Sequence, residues 1–161
     1  MPTKTIVFGL VTFLHDLFTA VWIGGLITLG LSVMPAIKKT LGKGPETKKL
    51  MDAIQKRNSV LVYMSMIGLV LTGLLQANRT SAFLGLFSLG NTYSAVLAVK
   101  HILVIAMIAI ALYRSLALTK TTTPKQERLK KVLMMSNIVF GIFILLLSGF
   151  ATALSSSIPA I

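Results

Sequence analysis

The sequence lacks cysteine and is poor in acidic residues, with four Asp and Glu against 16 Lys and Arg. The absence of cysteine excludes a disulfide framework and a thiolate metal site. Charged residues make up only 12% of the chain, too few for an ordinary soluble domain, while hydrophobic residues make up 55%. Together with a mean hydropathy of +0.84, these deficits indicate a chain surrounded mostly by lipid.

Long apolar runs account for most of the sequence. A helix needs about 20 apolar residues to cross the hydrocarbon of a bilayer, because every backbone polar group must be hydrogen-bonded internally there. Four runs meet this requirement: residues 6–34, ended by Pro35, and residues 59–77, 93–118 and 132–154. The sequence therefore predicts an all-α fold, an integral membrane four-helix bundle that forms one domain over residues 1–161.

The basic residues cluster in the first and third connectors between these runs. They are Lys38, Lys39, Lys43, Lys48, Lys49, Lys56 and Arg57 in the first, and Lys120, Lys125, Arg128, Lys130 and Lys131 in the third. Because Lys and Arg in short loops are retained on the cytoplasmic side, both connectors are predicted to be cytoplasmic and both termini to lie outside. This topology explains the net charge of +12 without a nucleic-acid partner, and predicts a multi-pass protein of a prokaryotic cytoplasmic membrane, in contact with the lipid bilayer.

The second connector, residues 78–92, is apolar although it is too short to span. Its large apolar side chains are spaced by Gly and Ser: Phe83, Leu84, Leu86, Phe87 and Leu89. Such a segment is too apolar to extend into water. We expect it to lie over the mouth of the bundle.

The chain has two histidines, His15 and His101, in the first and third runs. Each lies about nine residues from the outer end of its helix, which places both rings roughly 12–14 Å below that end. An intramembrane histidine can be a hydrogen-bonded group in a helix interface. The matched depth on two parallel helices instead favours ligation of one metal centre, and we predict haem b with both histidines as axial ligands.

Several neighbouring side chains are predicted to complete a haem site. Glycine lets a backbone approach a flat ring, and Gly68 lies close to the predicted histidine level. Lys100, beside His101, and Arg79, at the outer end of the second run, can meet haem propionates. The helix face that carries His15 adds aromatic bulk and hydroxyls able to orient a ring nitrogen: Phe8, Thr12, Thr19 and Trp22.

Copper is the alternative metal, because thioether and imidazole ligands suit Cu(I). Met66, in the second run, approaches the predicted histidine level and would complete a copper site with His15 and His101. A copper channel usually carries a denser ladder of Met or Cys. The ligand supply therefore favours haem over copper.

Two stretches of the chain carry a family resemblance. The first is Leu14-His15 followed by VWIGGL at residues 21–26, and the second extends from GNTY at residues 90–93 through Lys100 to ALYR at residues 111–114. Both resemble helical segments of the copper resistance D family. The resemblance implies a role in copper uptake or resistance, while the related four-helix membrane families, b-type cytochromes and the bacterial membrane protoporphyrinogen oxidase, imply haem or porphyrin chemistry at the helix histidines.

The sequence as a whole predicts a haem b-binding membrane redox protein. Its expected activity is electron transfer, or that of a membrane haem oxidoreductase acting on a small species such as quinone, superoxide, oxygen or nitric oxide. A copper carrier is the alternative, and a bundle with purely structural histidines is the third hypothesis. The glycine-rich helix faces are also compatible with a homo-oligomer.

Overall fold

The computed structural model describes residues 3–77, 83–118 and 123–156, and these residues are almost entirely helical. They form four long helices: α1 (Thr3–Leu41), α2 (Pro45–Ala77), α3 (Thr92–Leu116) and α4 (Pro124–Ser156). Each helix is long and apolar enough to cross a membrane. The prediction of an all-helical chain with four long apolar helices is confirmed.

The chain divides into two compact units, residues 1–76 and residues 77–161. The first is a hairpin of α1 and α2, and the second is a hairpin of α3 and α4 preceded by the described part of the apolar connector. Short connections between consecutive helices favour antiparallel neighbours of this kind.

Helix α1 continues through Pro35 to Leu41, so the helix does not end at the proline that closes the first apolar run. Proline lacks an N–H, and its ring clashes with a carbonyl one turn earlier in a regular α-helix. Here the turns before it are widened into a π-helix over Thr28–Val33, and the Met34 N–H bonds to the Leu29 carbonyl five residues back. The widened segment leads into Pro35 and lets the helix continue to Leu41.

The turn between α1 and α2 is short and fixed by local hydrogen bonds. Gly42 has a φ of 69°, a left-handed value that favours glycine, and its N–H bonds to the Lys38 carbonyl at 3.1 Å. Thr47, in the first turn of α2, donates its hydroxyl to the Leu41 carbonyl at 3.3 Å. These contacts reverse the chain within three residues and start α2 at Pro45.

Two helices begin well before their predicted spans, and eight of the 16 basic residues lie on these extensions. Helix α2 starts at Pro45 rather than residue 59, and α4 starts at Pro124 rather than residue 132. The apolar runs mark only the part of a helix that suits hydrocarbon, because a helix continues into water wherever its residues favour it. The first and third connectors are therefore shorter than predicted, and α2 and α4 are longer than their apolar runs.

The second hairpin begins with a well-defined cap. Asn91 precedes α3 and accepts the Ser94 backbone N–H through Oδ1 at 2.7 Å, as an N-cap residue does. Between α3 and α4, Met107 and Asn137 are both fully buried, and Asn137 Nδ2 donates to the Met107 backbone carbonyl at 3.4 Å. This polar contact lies among buried apolar side chains such as Ile138 and Ile144.

Large apolar side chains point outward along all four helices. One example from each is Phe13 at 59% exposed, Ile67 at 64%, Ile102 at 57% and Phe143 at 52%. Soluble monomers rarely expose contiguous apolar surfaces of this extent. The four apolar helices are compatible with contact with a lipid bilayer.

Candidate functional site

His15 lies on α1 and is hydrogen-bonded to a side chain of α2. Its Nδ1 atom lies 2.9 Å from Thr72 Oγ1, and Thr72 Oγ1 donates to the Gly68 carbonyl at 2.7 Å. A hydroxyl has one proton to donate. Because the Thr72 proton goes to Gly68, Nδ1 of His15 must supply the proton of the other bond.

This chain of hydrogen bonds favours one tautomer of His15. In that tautomer the neutral imidazole carries its proton on Nδ1 and its lone pair on Nε2. Thr72 is buried, and a buried hydroxyl bonded to two groups has little freedom to reorient. The arrangement is the one by which a second residue orients a metal-ligating histidine.

Thr72 was not among the residues predicted from the sequence. The hydroxyls expected to orient the ring lay on α1, but Thr19 donates to the backbone carbonyl of His15 at 2.8 Å instead. The short turn after α1 offers a signal that could have found Thr72. Counting equally in both directions from Gly42–Gly44 brings His15 opposite residue 71, one position from Thr72.

Gly68 packs against an aromatic ring of its own hairpin. A Cβ at this position would overlap the ring of Phe18, which fills the space above the glycine backbone. Gly73, the residue after Thr72, is less crowded, since a Cβ there would lie 3.7 Å from His15 Cε1, an ordinary contact. In the first unit Gly68 therefore admits Phe18, rather than offering an open surface for a flat cofactor.

Met66 is buried on α2 but does not lie at the level of His15. It is six residues before Thr72, which corresponds to about 9 Å along the helix axis. Thr72, rather than Met66, faces the imidazole. A copper site formed by Met66 with His15 and His101 stays a prediction.

His101 lies on α3 and is covered by the apolar connector that precedes this helix. The rings of Phe87 and His101 meet edge to face, with centroids 6.3 Å apart and planes at 64°. The backbones of Leu86 and Leu97 also interact with the imidazole. Nδ1 is buried and makes no hydrogen bond of good geometry within the described residues.

The connector is held against α3 by its own hydrogen bond. The Leu84 N–H donates to Ser94 Oγ at 3.1 Å, and Ser94 is completely buried. Residues 83–91 thus fold back along the first turns of α3 and reach His101. The segment's large side chains Leu84, Phe87 and Leu89 are more than half exposed, and the expectation that it lies over the mouth of the bundle stays a prediction.

The other predicted site residues differ in what the structure shows of them. Lys100 is half-buried beside His101 and interacts with it electrostatically. Arg79 lies outside the described residues.

His15 belongs to the first unit and His101 to the second, and a metal centre shared by the two stays a prediction. The described residues contain no cluster of three or more His, Asp or Glu side chains suited to a metal ion.

Comparisons with known proteins give no further assignment. No protein-family model, curated protein or solved structure matches the chain. The resemblance to the copper resistance D family accordingly stays a prediction from the residues quoted for it.

Proposed function

We propose that this chain is a multi-pass membrane protein that binds haem b through His15 and serves in electron transfer. The observation that carries the proposal is the hydrogen-bond chain from His15 Nδ1 through Thr72 to the Gly68 carbonyl. A ligating histidine in most metal sites donates its second ring N–H to a fixed acceptor, which raises the basicity of the coordinating nitrogen. Thr72 supplies that acceptor inside an apolar helix.

The imidazole nitrogen of His15 fits haem iron as a ligand, whereas the predicted haem contact at Gly68 does not fit. Nε2 of His15 is an imidazole nitrogen that carries the lone pair in this tautomer, and imidazole nitrogens are axial ligands of haem iron. Gly68 offers no cradle because Phe18 occupies it. We therefore assign Gly68 to helix packing and Thr72 to orientation of the ligand.

His101 is proposed as the second axial ligand, and its surroundings support a further role. Phe87 and the backbone of Leu86 cover the imidazole, which keeps bulk water from that side of the ring. Lys100, beside it, supplies a cation able to meet a propionate. Bound haem supplies a one-electron centre, and the protein contributes orientation and a water-poor environment.

We propose the membrane topology from the positions of the basic residues, as the sequence already predicts. Of the 14 basic residues that the structure describes, eleven lie in the last turn of α1, in the α1–α2 turn and on the N-terminal parts of α2 and α4, as expected for a cytoplasmic side. We propose that both termini lie outside, in the cytoplasmic membrane of a prokaryote. The outward apolar side chains of all four helices would then contact lipid.

The experiment is an absorption spectrum of protein purified from cells supplied with a haem precursor. We expect a Soret band and sharp bands on reduction, lost in His15→Ala and lost or altered in His101→Ala. Met66→Leu is the matched control, because it removes a buried thioether on the same hairpin and should leave the spectrum unchanged.

Other outcomes would replace the proposal. Copper found by elemental analysis without a haem spectrum, and lost in Met66→Leu, would establish the copper carrier instead. Colourless, metal-free protein after haem supply would contradict both ligand hypotheses and leave the histidines structural.

A further inference from the structure

Gly73 borders the imidazole of His15 on the side of α2. The Nδ1 atom of the ring lies 2.9 Å from Thr72 Oγ1, and a Cβ at Gly73 would lie 3.7 Å from the Cε1 atom. Cε1 is bonded to both ring nitrogens, so Nε2 is the next ring atom beyond it. Apart from adjoining parts of α2, no other described atom lies within 4 Å of that Cβ position. The missing side chain of Gly73 therefore leaves space beside the Cε1–Nε2 edge of the ring.

Gln76 lies one turn after Gly73 and on the same face of α2. The two residues are separated by about 4.5 Å along the helix axis. The Nε2 atom of Gln76 is buried and makes no hydrogen bond among the described residues. A buried donor without an acceptor costs free energy, and a bound acceptor removes that cost. The amide of Gln76 is therefore suited to a ligand that brings an acceptor into this part of the hairpin.

We propose that Gly73 and Gln76 make the His15 site specific for a planar macrocycle that carries carboxylate groups. Gly73 leaves room for the ring beside the imidazole, and Gln76 donates its amide N–H to a carboxylate. This role rests on the proposed binding of haem b through His15 and deepens it. A flat ring needs a close approach to the backbone, which glycine allows, whereas a bare metal ion needs no such room.

The order of these residues along α2 matches the parts of a haem. Thr72 holds Nδ1 of the imidazole, Gly73 borders the neighbouring edge of the ring, and Gln76 lies further toward the C-terminal end of the helix. In the proposed topology that end of α2 is the outer end. The Gln76 amide is then on the side of the imidazole on which the sequence predicts the haem propionates.

Haem titration of the cofactor-free protein in detergent, followed at the Soret band, tests the role of Gly73. Gly73→Leu places a side chain beside the imidazole and should weaken haem binding about ten- to hundredfold. Gly24→Leu is the matched control and should bind haem as the wild type does. A Cβ at Gly24 has no described atom within 4 Å, and this residue lies nine positions after His15, about 14 Å along the helix axis.

Haem b dimethyl ester, in which both carboxylates are esterified, tests the role of Gln76. Gln76→Leu removes the amide and should weaken haem binding about tenfold, the effect of losing a hydrogen bond to a charged group. Binding of the dimethyl ester should change less than about threefold, because an ester carbonyl is a weaker acceptor than a carboxylate. Gln55→Leu, on the same helix but 21 residues earlier, is the control and should change neither affinity.

Circular dichroism of the same samples checks that each variant is folded, and Gly73→Ala, with a smaller expected loss of about threefold, replaces Gly73→Leu if leucine reduces helicity. Wild-type haem affinity in the folded Gly73 variants would overturn the role of Gly73. Equal losses of haem and of its dimethyl ester in Gln76→Leu, or no loss of either, would overturn the role of Gln76. Wild-type protein that binds neither compound contradicts the proposed function itself, whereas a wild type that binds haem with unchanged affinity in all these variants contradicts only the specificity.

Discussion

His15 and His101 occupy similar positions in the sequence, each inside an apolar helix next to a charged residue, but the two hairpins surround them differently. His15 is held by a side chain of the opposing helix, through Nδ1 and Thr72 at 2.9 Å. His101 is covered by a connector, through the Phe87 ring and the Leu86 backbone. The element packed against each imidazole, rather than the histidine itself, determines the hydrogen bonds and the covering of that ring.

This difference separates a ring whose Nδ1 is hydrogen-bonded from a ring with an unsatisfied nitrogen. The Thr72 hydroxyl leaves the His15 lone pair on Nε2, whereas Nδ1 of His101 is buried without a well-formed hydrogen bond in the described part of the chain. A buried unpaired polar atom costs free energy. In the proposed haem site His15 would be the better prepared ligand, and His101 would combine a ligand role with its contacts to the connector.

The largest effect is expected from Gly68→Ala in the first hairpin. The added Cβ overlaps Phe18, and overpacking of this kind should lower the free energy of unfolding by about 1–3 kcal/mol. Gly73→Ala is the control, since its Cβ makes an ordinary contact at 3.7 Å and should be neutral or stabilising by up to about 1 kcal/mol. Detergent titration followed by circular dichroism measures both, and equal stabilities would contradict the packing of Phe18 on Gly68.

Thr72→Val should weaken haem binding by about tenfold or more, the usual cost of losing a residue that orients a metal ligand. Valine keeps the shape of threonine but cannot accept the His15 Nδ1–H bond. Thr72→Ser retains the hydroxyl and should bind haem as the wild type does. Haem titration of the cofactor-free protein measures the affinities. If Thr72→Val and Thr72→Ser bind equally well, Thr72 has no positioning role.

The smallest effect is expected in the second hairpin from Ser94→Ala. The Leu84 N–H loses its acceptor at 3.1 Å, which should destabilise the folded connector by about 1 kcal/mol and speed exchange of that amide about fivefold. Ser88→Ala is the control, because Ser88 accepts an exposed bond from Gly90. Hydrogen exchange detects the difference. An unchanged rate at Leu84 in Ser94→Ala would show that this bond does not hold the connector.

The four helices could be predicted because a membrane span leaves a simple signal, an apolar run of sufficient length. The ends of the helices could not be predicted. The stretch from Pro45 to Asn58 is polar yet helical, and Pro35 follows a π-helical segment for which the sequence carries no recognisable signal. Hydropathy indicates which part of a helix suits a hydrocarbon environment, whereas the ends of the helix depend on capping and backbone hydrogen bonds.

The same limits explain which parts of the site were predicted. His15 and His101 stand out as polar residues in apolar runs, but Thr72 is inconspicuous in α2 until the register of the hairpin is known. Ending α1 at Pro35 and starting α2 at residue 59 concealed the three-residue turn that sets this register. The missing side chain of Gly68 indicates room for a flat ring, but the sequence does not reveal that the ring of Phe18 occupies this space.

The protonation of His15 tests the central claim most directly. Nitrogen-15 NMR of histidine-labelled, cofactor-free protein in lipid vesicles distinguishes protonated from unprotonated ring nitrogens, and the His101→Phe variant assigns the remaining signals to His15. We predict a protonated Nδ1 and an unprotonated Nε2, with this preference retained in Thr72→Ser and weakened in Thr72→Val. A proton on Nε2 with a bare Nδ1 in the otherwise wild-type protein would contradict the account.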